Sequence, residues 1–450
     1  MSIGYRRTLS QLHKDIENDV TLMSQPVGGI VKPGVLVAAS LWWPLSARLA
    51  SRLAQYGGRV SGICPKGHAM RHVPGLGPIY DYAALDSLGS LEAALDAAKP
   101  DFVVPCDDRV VEQLHQLCDL KPRFRALIES SLGPSSEYGI VSSRERFLQT
   151  AHGLGIRVPE TRAVRSEEDI RRWFGAESSA AVLKRDGSWG GDGVVIASTE
   201  GDAVMAFRSL MRRPSTALAL KRLLVNRDPL SLWEWRKGHQ PAVSIQRFVP
   251  GNPVNAMMVC WRGELLGIVT VEVLSSQGAT GAGIVVRIIE NKEVRRAARL
   301  LAEHLSLTGF YGLDFMVDRA TGLSYLIEMN PRCTQLGHLS LPKQGDLAGI
   351  FYAKISGRPL PEPQNPIRSD VIAFFPQALF RPPTGSVSDG LYLDVPWDHP
   401  GLIRELLLPS WPDRHWMARL YHAFKAPREI ATKEFEPAGE SVSSLSSAQG

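Results

Sequence analysis

The sequence predicts an α/β protein with an N-terminal parallel-sheet domain followed by a two-lobed α+β region. The first observation is that strand-like apolar runs alternate with helical patterns between residues 31 and 138, which is typical of a parallel sheet with covered faces. The second is a series of strand patterns with glycine-marked turns from residue 139 to 361. The third is the length of 450 residues, which provides for several domains at about 150 residues each.

Composition and charge are those of an ordinary globular protein, with 44% hydrophobic residues, 22% charged residues and a formal net charge of +5. That charge does not by itself indicate a nucleic-acid partner. The N-terminus has no apolar segment typical of a secretory signal, and the longest apolar run, residues 35–43, is too short to span a bilayer. The five cysteines form no CxxC pair, which favours reduced thiols. We therefore expect a cytoplasmic protein without a membrane or nucleic-acid partner.

The N-terminal domain is predicted from residues 31 to 138, after an extension of residues 1–30. Strands are predicted at "GVLVAAS", "RVSGICP" and "DFVVPCDD", and helices at "PLSARLASRLAQYGG", "SLEAALDAAKP" and "RVVEQLHQLCDL". No G-x-G-x-x-G follows the first strand, so the pattern of a standard dinucleotide-binding domain is missing.

The second region is predicted from residues 139 to 361, with a smaller lobe at about 165–250. Its elements are a helix in "SRERFLQTAHGLG", a strand–glycine loop–strand unit in "AAVLKRDGSWGGDGVVIAST", strands in "VSIQRFVPG" and "NAMMVCWRGELLGIVTVEV", and an amphipathic helix in "NKEVRRAARLLAEHLSLTG". A C-terminal region covers residues 362–434, and the composition of 435–450 predicts disorder.

A cluster of polar residues ends the predicted strand in "LIEMNPR", residues 326–332. Alternation along a strand places Leu326, Glu328 and Asn330 on one face. The other face, expected to enter the core, carries Tyr325, Ile327 and Met329. Carboxylate and amide oxygens suit a hard cation such as Mg²⁺, and the guanidinium of Arg332 suits a phosphate or carboxylate. A solvated strand end is the alternative interpretation.

Two further patterns suggest phosphate chemistry. In "GLDFMVD", Asp314 and Met316 share a strand face, and a hairpin turning near 321–322 would bring Asp314 beside Glu328. In "KRDGSWGGDGVV", Lys184 precedes a glycine-rich loop whose N–H groups can bind phosphate oxygens. It differs from a P-loop, in which the lysine follows the glycines. An exposed acidic residue and a plain glycine hairpin are the alternatives.

The order of these motifs resembles the ATP-grasp superfamily, over about residues 31–355, and "NPRCTQLGH" is similar to its carboxylate–amine ligases. In the corresponding part of biotin carboxylases a glutamate lies near the position of Leu336, which argues against that activity. The region 31–138 resembles the Rossmann-like pre-ATP-grasp domain. The resemblance implies ATP and Mg²⁺ (or Mn²⁺) as cofactors and small-molecule carboxylate and amine substrates. ATP would phosphorylate the carboxylate, and the amine would attack the acyl phosphate.

The resemblance also implies a role for each matching residue. Arg332 would be catalytic, steadying the reacting phosphoryl or acyl group. The metal ligands would be Asp314, Glu328 and Asn330. Lys184 would contact the phosphates, the 188–193 loop would close over them, residues 246–249 would contact adenine, and Met316 would lie under its ring. The full nucleotide-binding set is Arg144, Val182, Lys184, Ser188, Trp189, Gly190, Gly191, Gln246, Arg247, Phe248, Val249 and Met316.

Three departures from the family pattern leave a second function open. Arg144 stands where many members have lysine, Gln246 replaces a common glutamate, and Asp192 adds negative charge to the phosphate loop. A catalytically silent nucleotide-binding module is the main alternative. Nucleic-acid binding through the basic stretch 205–247 is a lesser one. The substrate pocket is expected between the N-terminal domain, the loop 275–283 and Arg332, and a homodimer is left open.

Overall fold

The computed structural model describes residues 32–176, 180–185, 193–212, 242–278, 281–342, 345–360, 362, 366–380, 390–416 and 418. The predicted α/β class is confirmed, with a parallel-sheet domain at the N-terminus and mixed or antiparallel sheets after it. The extension 1–30, the glycine loop, most of the basic stretch 205–247 and the tail 435–450 lie outside the described residues.

The N-terminal domain is built on a four-stranded parallel sheet in the order β3-β2-β1-β4. Its strands are β1 (Gly34–Ala38), β2 (Arg59–Cys64), β3 (Ile79–Asp81) and β4 (Phe102–Pro105). Its helices are α1 (Leu45–Gln55), α2 (Ser87–Ala98), α3 (Asp108–Leu120) and α4 (Pro122–Leu132), with 3-10 turns at Ala69–His72, Ala84–Asp86 and Ser135–Glu137. Successive residues of β1 enter two different cores, because both faces of the sheet are covered.

A four-stranded antiparallel sheet forms the smaller lobe, in the order β5-β8-β6-β7. Its strands are β5 (Thr161–Val164), β6 (Ala181–Arg185), β7 (Val194–Ala197) and β8 (Val243–Arg247). The short helix α5 (Tyr138–Val141) and α6 (Arg144–Gly153) precede it, and α7 (Glu167–Ala176) and α8 (Glu200–Met211) belong to the lobe. Trp173 of α7 and Phe207 of α8 fill its core.

The central sheet has seven strands in the order β13-β12-β9-β10-β11-β16-β17. The strands are β9 (Gly251–Trp261), β10 (Glu264–Ser276), β11 (Gly283–Ile288), β12 (Gly309–Asp318), β13 (Ser324–Asn330), β16 (Val371–Phe374) and β17 (Leu391–Asp394), with a separate pair β14 (Ser340–Leu341) and β15 (Gly345–Asp346). The helices after β11 are α9 (Lys292–His304), α10 (Leu347–Ser356), α11 (Gln377–Phe380) and α12 (Pro400–Leu407), followed by a 3-10 turn at Trp411–Arg414. Because β16 pairs with β11, the C-terminal region continues the central sheet.

One hydrophobic core joins the N-terminal domain to the central sheet. Phe102 of β4 and Phe310 of β12 both pack against Phe351 of α10. The carboxyl end of β4 is thereby placed beside the loop that follows β13. All five cysteines are buried and none forms a disulfide. None of the helices in the described ranges combines the length and apolar content that a membrane crossing requires.

Candidate active site at the β12–β13 hairpin

The hairpin brings the two predicted acidic ligands together. Asp314 of β12 pairs directly with Glu328 of β13, and Gly312 pairs with Asn330. The hairpin closes through Gly322, whose φ of 69° favours glycine and whose N–H donates to Asp318 O at 2.8 Å. The turn and the Asp314–Glu328 neighbourhood therefore lie where the sequence predicted them.

The predicted assignment of the β13 side chains to two faces is wrong for the residues that precede Glu328. Leu326 is fully buried beside Leu313 and Phe315, in the core where Met329 also packs, whereas Tyr325 and Ile327 are only half-buried. The reason is a register shift between Asp314 and Phe315, which leaves Ile327 as the extra residue of a β-bulge. A bulge reverses the alternation, and local sequence pattern does not reveal its position.

Two amides hold the carboxylate of Asp314. Asn330 Nδ2 donates to Asp314 Oδ2 at 3.0 Å, and Asn255 of β9 donates to Asp314 Oδ1. Burial and then the charge of Glu328 raise the pKa of Asp314 to about 6, despite these two donors. Sequence reasoning missed Asn255; the available clue is a lone amide within the apolar strand "NAMMVC".

Glu328 is surrounded by cations. Arg144 Nη2, at the start of α6, lies 2.7 Å from Glu328 Oε1. Burial raises the pKa of Glu328, but the charges of Arg144, Lys184 and Arg332 outweigh burial and hold that pKa below its usual value. Arg144, expected beside the nucleotide, is therefore an ion-pair partner of a predicted metal ligand in this structure.

Arg332 connects the hairpin to the N-terminal domain. Its Nε donates to Asp108 Oδ1 at 3.0 Å, and its Nη2 donates to Asn330 Oδ1 at 3.3 Å. Burial lowers the pKa of Arg332, but Asp108 beside it raises that pKa above its usual value. Asp108 was also missed as a site residue, although it follows β4 at the carboxyl edge of a parallel sheet, where α/β proteins bind ligands.

The predicted nucleotide residues of the smaller lobe lie on two paired strands. Val182 pairs with Gln246, and Gln246 Nε2 donates to Thr161 Oγ1 at 2.9 Å. The Arg247 guanidinium lies 5.8 Å from the centre of the Tyr325 ring, which links β8 to the hairpin.

The remaining nucleotide residues are only partly described. Lys184 and Val249 are buried, the Phe248 N–H donates to Ala180 O at 3.0 Å, and Met316 is half-buried on β12. The residues outside the described ranges are Ser188, Trp189, Gly190, Gly191 and Asp192.

His338, six residues after Arg332, belongs to a buried cluster. Its Nε2 lies 2.7 Å from Asp394 Oδ2, and Asp394 Oδ1 accepts from Arg48 Nη2 at 2.7 Å. Gln335 Nε2 donates to Gly283 O at 3.1 Å, so the segment after Arg332 contacts the start of β11. These contacts fix the loop that carries Arg332.

The cluster of Asp314, Glu328 and Asn330 offers oxygen donors of the type that a hard cation prefers. Its donors are two carboxylates and an amide, and each carboxylate oxygen retains a lone pair beyond the hydrogen bond it accepts. Among the described residues, no three His, Cys, Asp or Glu side chains gather to hold a metal without the amide. Asn330 presents Nδ2 to Asp314 in this structure, so its amide has to turn before Oδ1 faces the same point as the carboxylates.

Comparison with known proteins supports the ATP-grasp resemblance in sequence. Residues 229–335 match the model of an ATP-grasp domain. The carbamoyl phosphate synthase large chain of Thermomicrobium roseum is 26% identical over 244 residues, which cover 52% of this chain and 21% of that protein. The chain thus spans about a fifth of the length of this relative.

Solved structures show the same fold at low identity. N5-carboxyaminoimidazole synthase from Aspergillus clavatus, in complex with ADP and 5-aminoimidazole ribonucleotide, has a TM-score of 0.55 at 12% identity, covering 75% of this chain and 80% of that one. N5-carboxyaminoimidazole synthetase from Staphylococcus aureus, complexed with ADP, has a TM-score of 0.54 at 13% identity, covering 74% and 80%. The biotin carboxylase domain of Hydrogenobacter thermophilus 2-oxoglutarate carboxylase has a TM-score of 0.52 at 13% identity, covering 74% and 71%. Residues 229–335 therefore match an ATP-grasp domain, and the described chain, with its N-terminal parallel-sheet domain, shares its overall fold with these solved structures.

Proposed function

We propose that this protein is an ATP-dependent ligase that joins a carboxylate to an amine through an acyl phosphate. The observation that carries the proposal is the pairing of Asp314 with Glu328 beside Asn330, with Arg144 and Arg332 bonded to members of that set. Such a set matches the demands of phosphoryl transfer, in which negative charge must be neutralised and the reactants aligned.

The proposed reaction has two steps. A carboxylate oxygen of the substrate attacks the γ-phosphorus of ATP, the bond to the β-phosphate oxygen breaks, and ADP leaves. The amine then attacks the acyl carbon, the bond from that carbon to the phosphate-bearing oxygen breaks, and inorganic phosphate leaves with the electron pair. The amine loses a proton, and an amide bond remains.

The chain's own residues would supply binding, orientation and charge. Lys184 would contact the phosphates from β6, and the β8 segment 246–249 would bind adenine. Asp314, Glu328 and Asn330 would hold Mg²⁺ (or Mn²⁺), which when bound neutralises charge on the phosphate oxygens. The Arg332 guanidinium, on a side chain that is 18% exposed, would contact the transferring phosphoryl or the acyl oxygen.

The substrates we propose are a small carboxylic acid and a small amine, bound between the N-terminal domain and Arg332 in the cytoplasm. We propose no nucleic-acid or membrane partner and leave a homodimer open. Lys184 and Arg332 lie close enough for their charges to act on Glu328, which favours an anionic substrate at this position.

One observation favours the silent-module alternative. Arg144 occupies Glu328 Oε1 at 2.7 Å, so part of a proposed metal ligand is already paired with a cation. A silent module would bind nucleotide without turning it over. This differs from the ligase in a single measurable property, the release of phosphate.

The experiment is a screen for phosphate release from Mg-ATP with pools of amino acids and small carboxylic acids. The ligase proposal predicts that release requires one acid and one amine together, with one ADP formed for each phosphate. Binding of Mg-ATP without release in any pool would support the silent module. Phosphate release that occurs only when nucleic acid is added would support the nucleic-acid-binding alternative instead.

A further inference from the structure

We infer that Asp108 is a positioning residue that aims the guanidinium of Arg332 from the N-terminal domain, an inference that rests on the proposed function. Asp108 opens α3 and comes three residues after the end of β4. Its ion pair with Arg332 joins residues 224 positions apart in the chain. No motif in the sequence connects these two residues.

The backbone at Arg332 is fixed on both sides, so only its side chain is left to be oriented. The Arg332 N–H donates to Asn330 O at 2.7 Å, and the Cys333 N–H donates to Pro105 O at 3.1 Å. The second bond ties this loop to the last residue of β4, just before the segment that carries Asp108. The two ends of the ion pair are therefore held at a set distance by the main chain.

The hydrogen bonds fix the plane of the guanidinium and engage two of its three nitrogens. Nε is bound to Asp108 Oδ1 at 3.0 Å, and Nη2 makes a longer bond to Asn330 Oδ1 at 3.3 Å. Among the described residues, no side chain or carbonyl accepts a hydrogen bond from Nη1. Because the guanidinium is planar, the direction of Nη1 is set by the bond that Asp108 accepts.

Asp108 also lies in a rigid frame. The neighbouring Asp107 caps α3, accepting from Val110 N at 3.0 Å, and binds Ser40 N at 2.6 Å and Ser40 Oγ at 2.8 Å. These buried bonds hold the first turn of α3 against the end of β1. A positioning side chain whose helix turn is held by such buried hydrogen bonds keeps its geometry through a catalytic cycle.

Asp314 is a second carboxylate that competes with Asp108 for the guanidinium of Arg332. Asp314 makes hydrogen bonds only to amides among the described residues, and the charge of Arg332 already acts on it. Without Asp108, the guanidinium would turn toward Asp314 and lie where a metal ion is proposed. Asp108 thus keeps the guanidinium available for the phosphoryl group and away from the carboxylates.

The test compares binding of MgADP with binding of MgADP plus aluminium fluoride, a mimic of the transferring phosphoryl group that requires no known substrate. The proteins are wild type, Asp108→Asn, Arg332→Lys, the double variant and the control Glu112→Gln. Glu112 is an exposed carboxylate of the same helix, bonded to Gln116 Nε2 at 3.1 Å. Calorimetry gives the affinities, and thermal melting checks the fold.

We expect wild type and Glu112→Gln to bind the fluoride complex more tightly than MgADP. Asp108→Asn should lose about tenfold of that extra affinity, as expected for one charged hydrogen bond, with MgADP affinity unchanged. The double variant should lose no more than Arg332→Lys alone, because Asp108 acts through Arg332. If Asp108→Asn does not fold, Asp108→Glu serves, since it keeps the charge and alters the geometry.

Two results would overturn the inference alone: an Asp108→Asn variant with wild-type affinity for the fluoride complex, or losses that add in the double variant. Wild-type protein that binds no MgADP at all would overturn the proposed function and this inference with it. The two failures are therefore distinguishable in one set of titrations.

Discussion

Asp314 and Glu328 face each other as a paired position on β12 and β13, and the register shift of the hairpin begins immediately after Asp314. Two carboxylates so placed repel each other, and this repulsion, after burial, contributes to the raised pKa of Asp314. This arrangement supports the proposed cation site, which Asn330 would complete.

The first prediction concerns Glu328→Gln. Removing one carboxylate from the proposed metal set should reduce phosphate release by on the order of a hundredfold or more, whereas the loss of the charge opposite Arg144 should cost only about 1–3 kcal/mol of unfolding free energy. The matched control is Glu272→Gln, a partly buried glutamate of β10 paired with Arg287 at 3.3 Å in the same sheet. Near-normal release by Glu328→Gln would remove the metal assignment.

The second prediction concerns Arg332→Lys. Lysine keeps the charge but loses the planar fork, so Mg-ATP affinity should stay close to wild type while kcat falls on the order of a hundredfold. Calorimetry and product formation measure the two quantities. Normal turnover with weakened ATP binding would make Arg332 a nucleotide anchor.

Much of the fold was predictable because each element carries its own local pattern. The alternation of "GVLVAAS" with a leucine stripe predicted β1 and α1, and both exist at Gly34–Ala38 and Leu45–Gln55. The hairpin turn followed from Gly322. These features depend on neighbouring residues, which a sequence shows directly.

The parts of the site that escaped prediction depend on long-range pairing. Leu326 lies on the opposite face from the predicted one because the β12–β13 register makes Ile327 a bulge residue. Asn255 joins the site only because β9 pairs with β12. Asp108 reaches Arg332 only through the packing of one domain on another. No residue adjacent in sequence indicates any of these contacts.

The third prediction concerns the glycine loop, residues 187–193, most of which lies outside the described residues. The run of glycines after Lys184 predicts a segment that closes over phosphates, so its amide hydrogen exchange should slow when Mg-ATP is added. Mass spectrometry of peptic fragments measures this, with residues 34–38 of buried β1 as the internal reference. Unchanged exchange at 187–193 would argue against a phosphate lid.

The fourth prediction compares two glycines of one loop region. Gly67 and Gly75 both have positive φ, 73° and 78°, but a Cβ at Gly67 would overlap the Trp411 ring, whereas nothing lies within 4 Å of one at Gly75. Gly75→Ala should cost about 1 kcal/mol of unfolding free energy from backbone strain. Gly67→Ala should cost roughly 1–3 kcal/mol more, because the ring must move. Urea unfolding measures both, and equal costs would show that Trp411 does not pack there.

The most direct test of the proposed ligase follows the oxygen atoms. With the acid and amine identified by the screen, the acid is labelled with oxygen-18 in its carboxylate and the released phosphate is examined by mass spectrometry. Attack of the carboxylate on ATP predicts that each phosphate carries one oxygen from the acid. Phosphate that carries none, formed at the same rate as the amide product, would contradict the acyl-phosphate route and with it the central proposal.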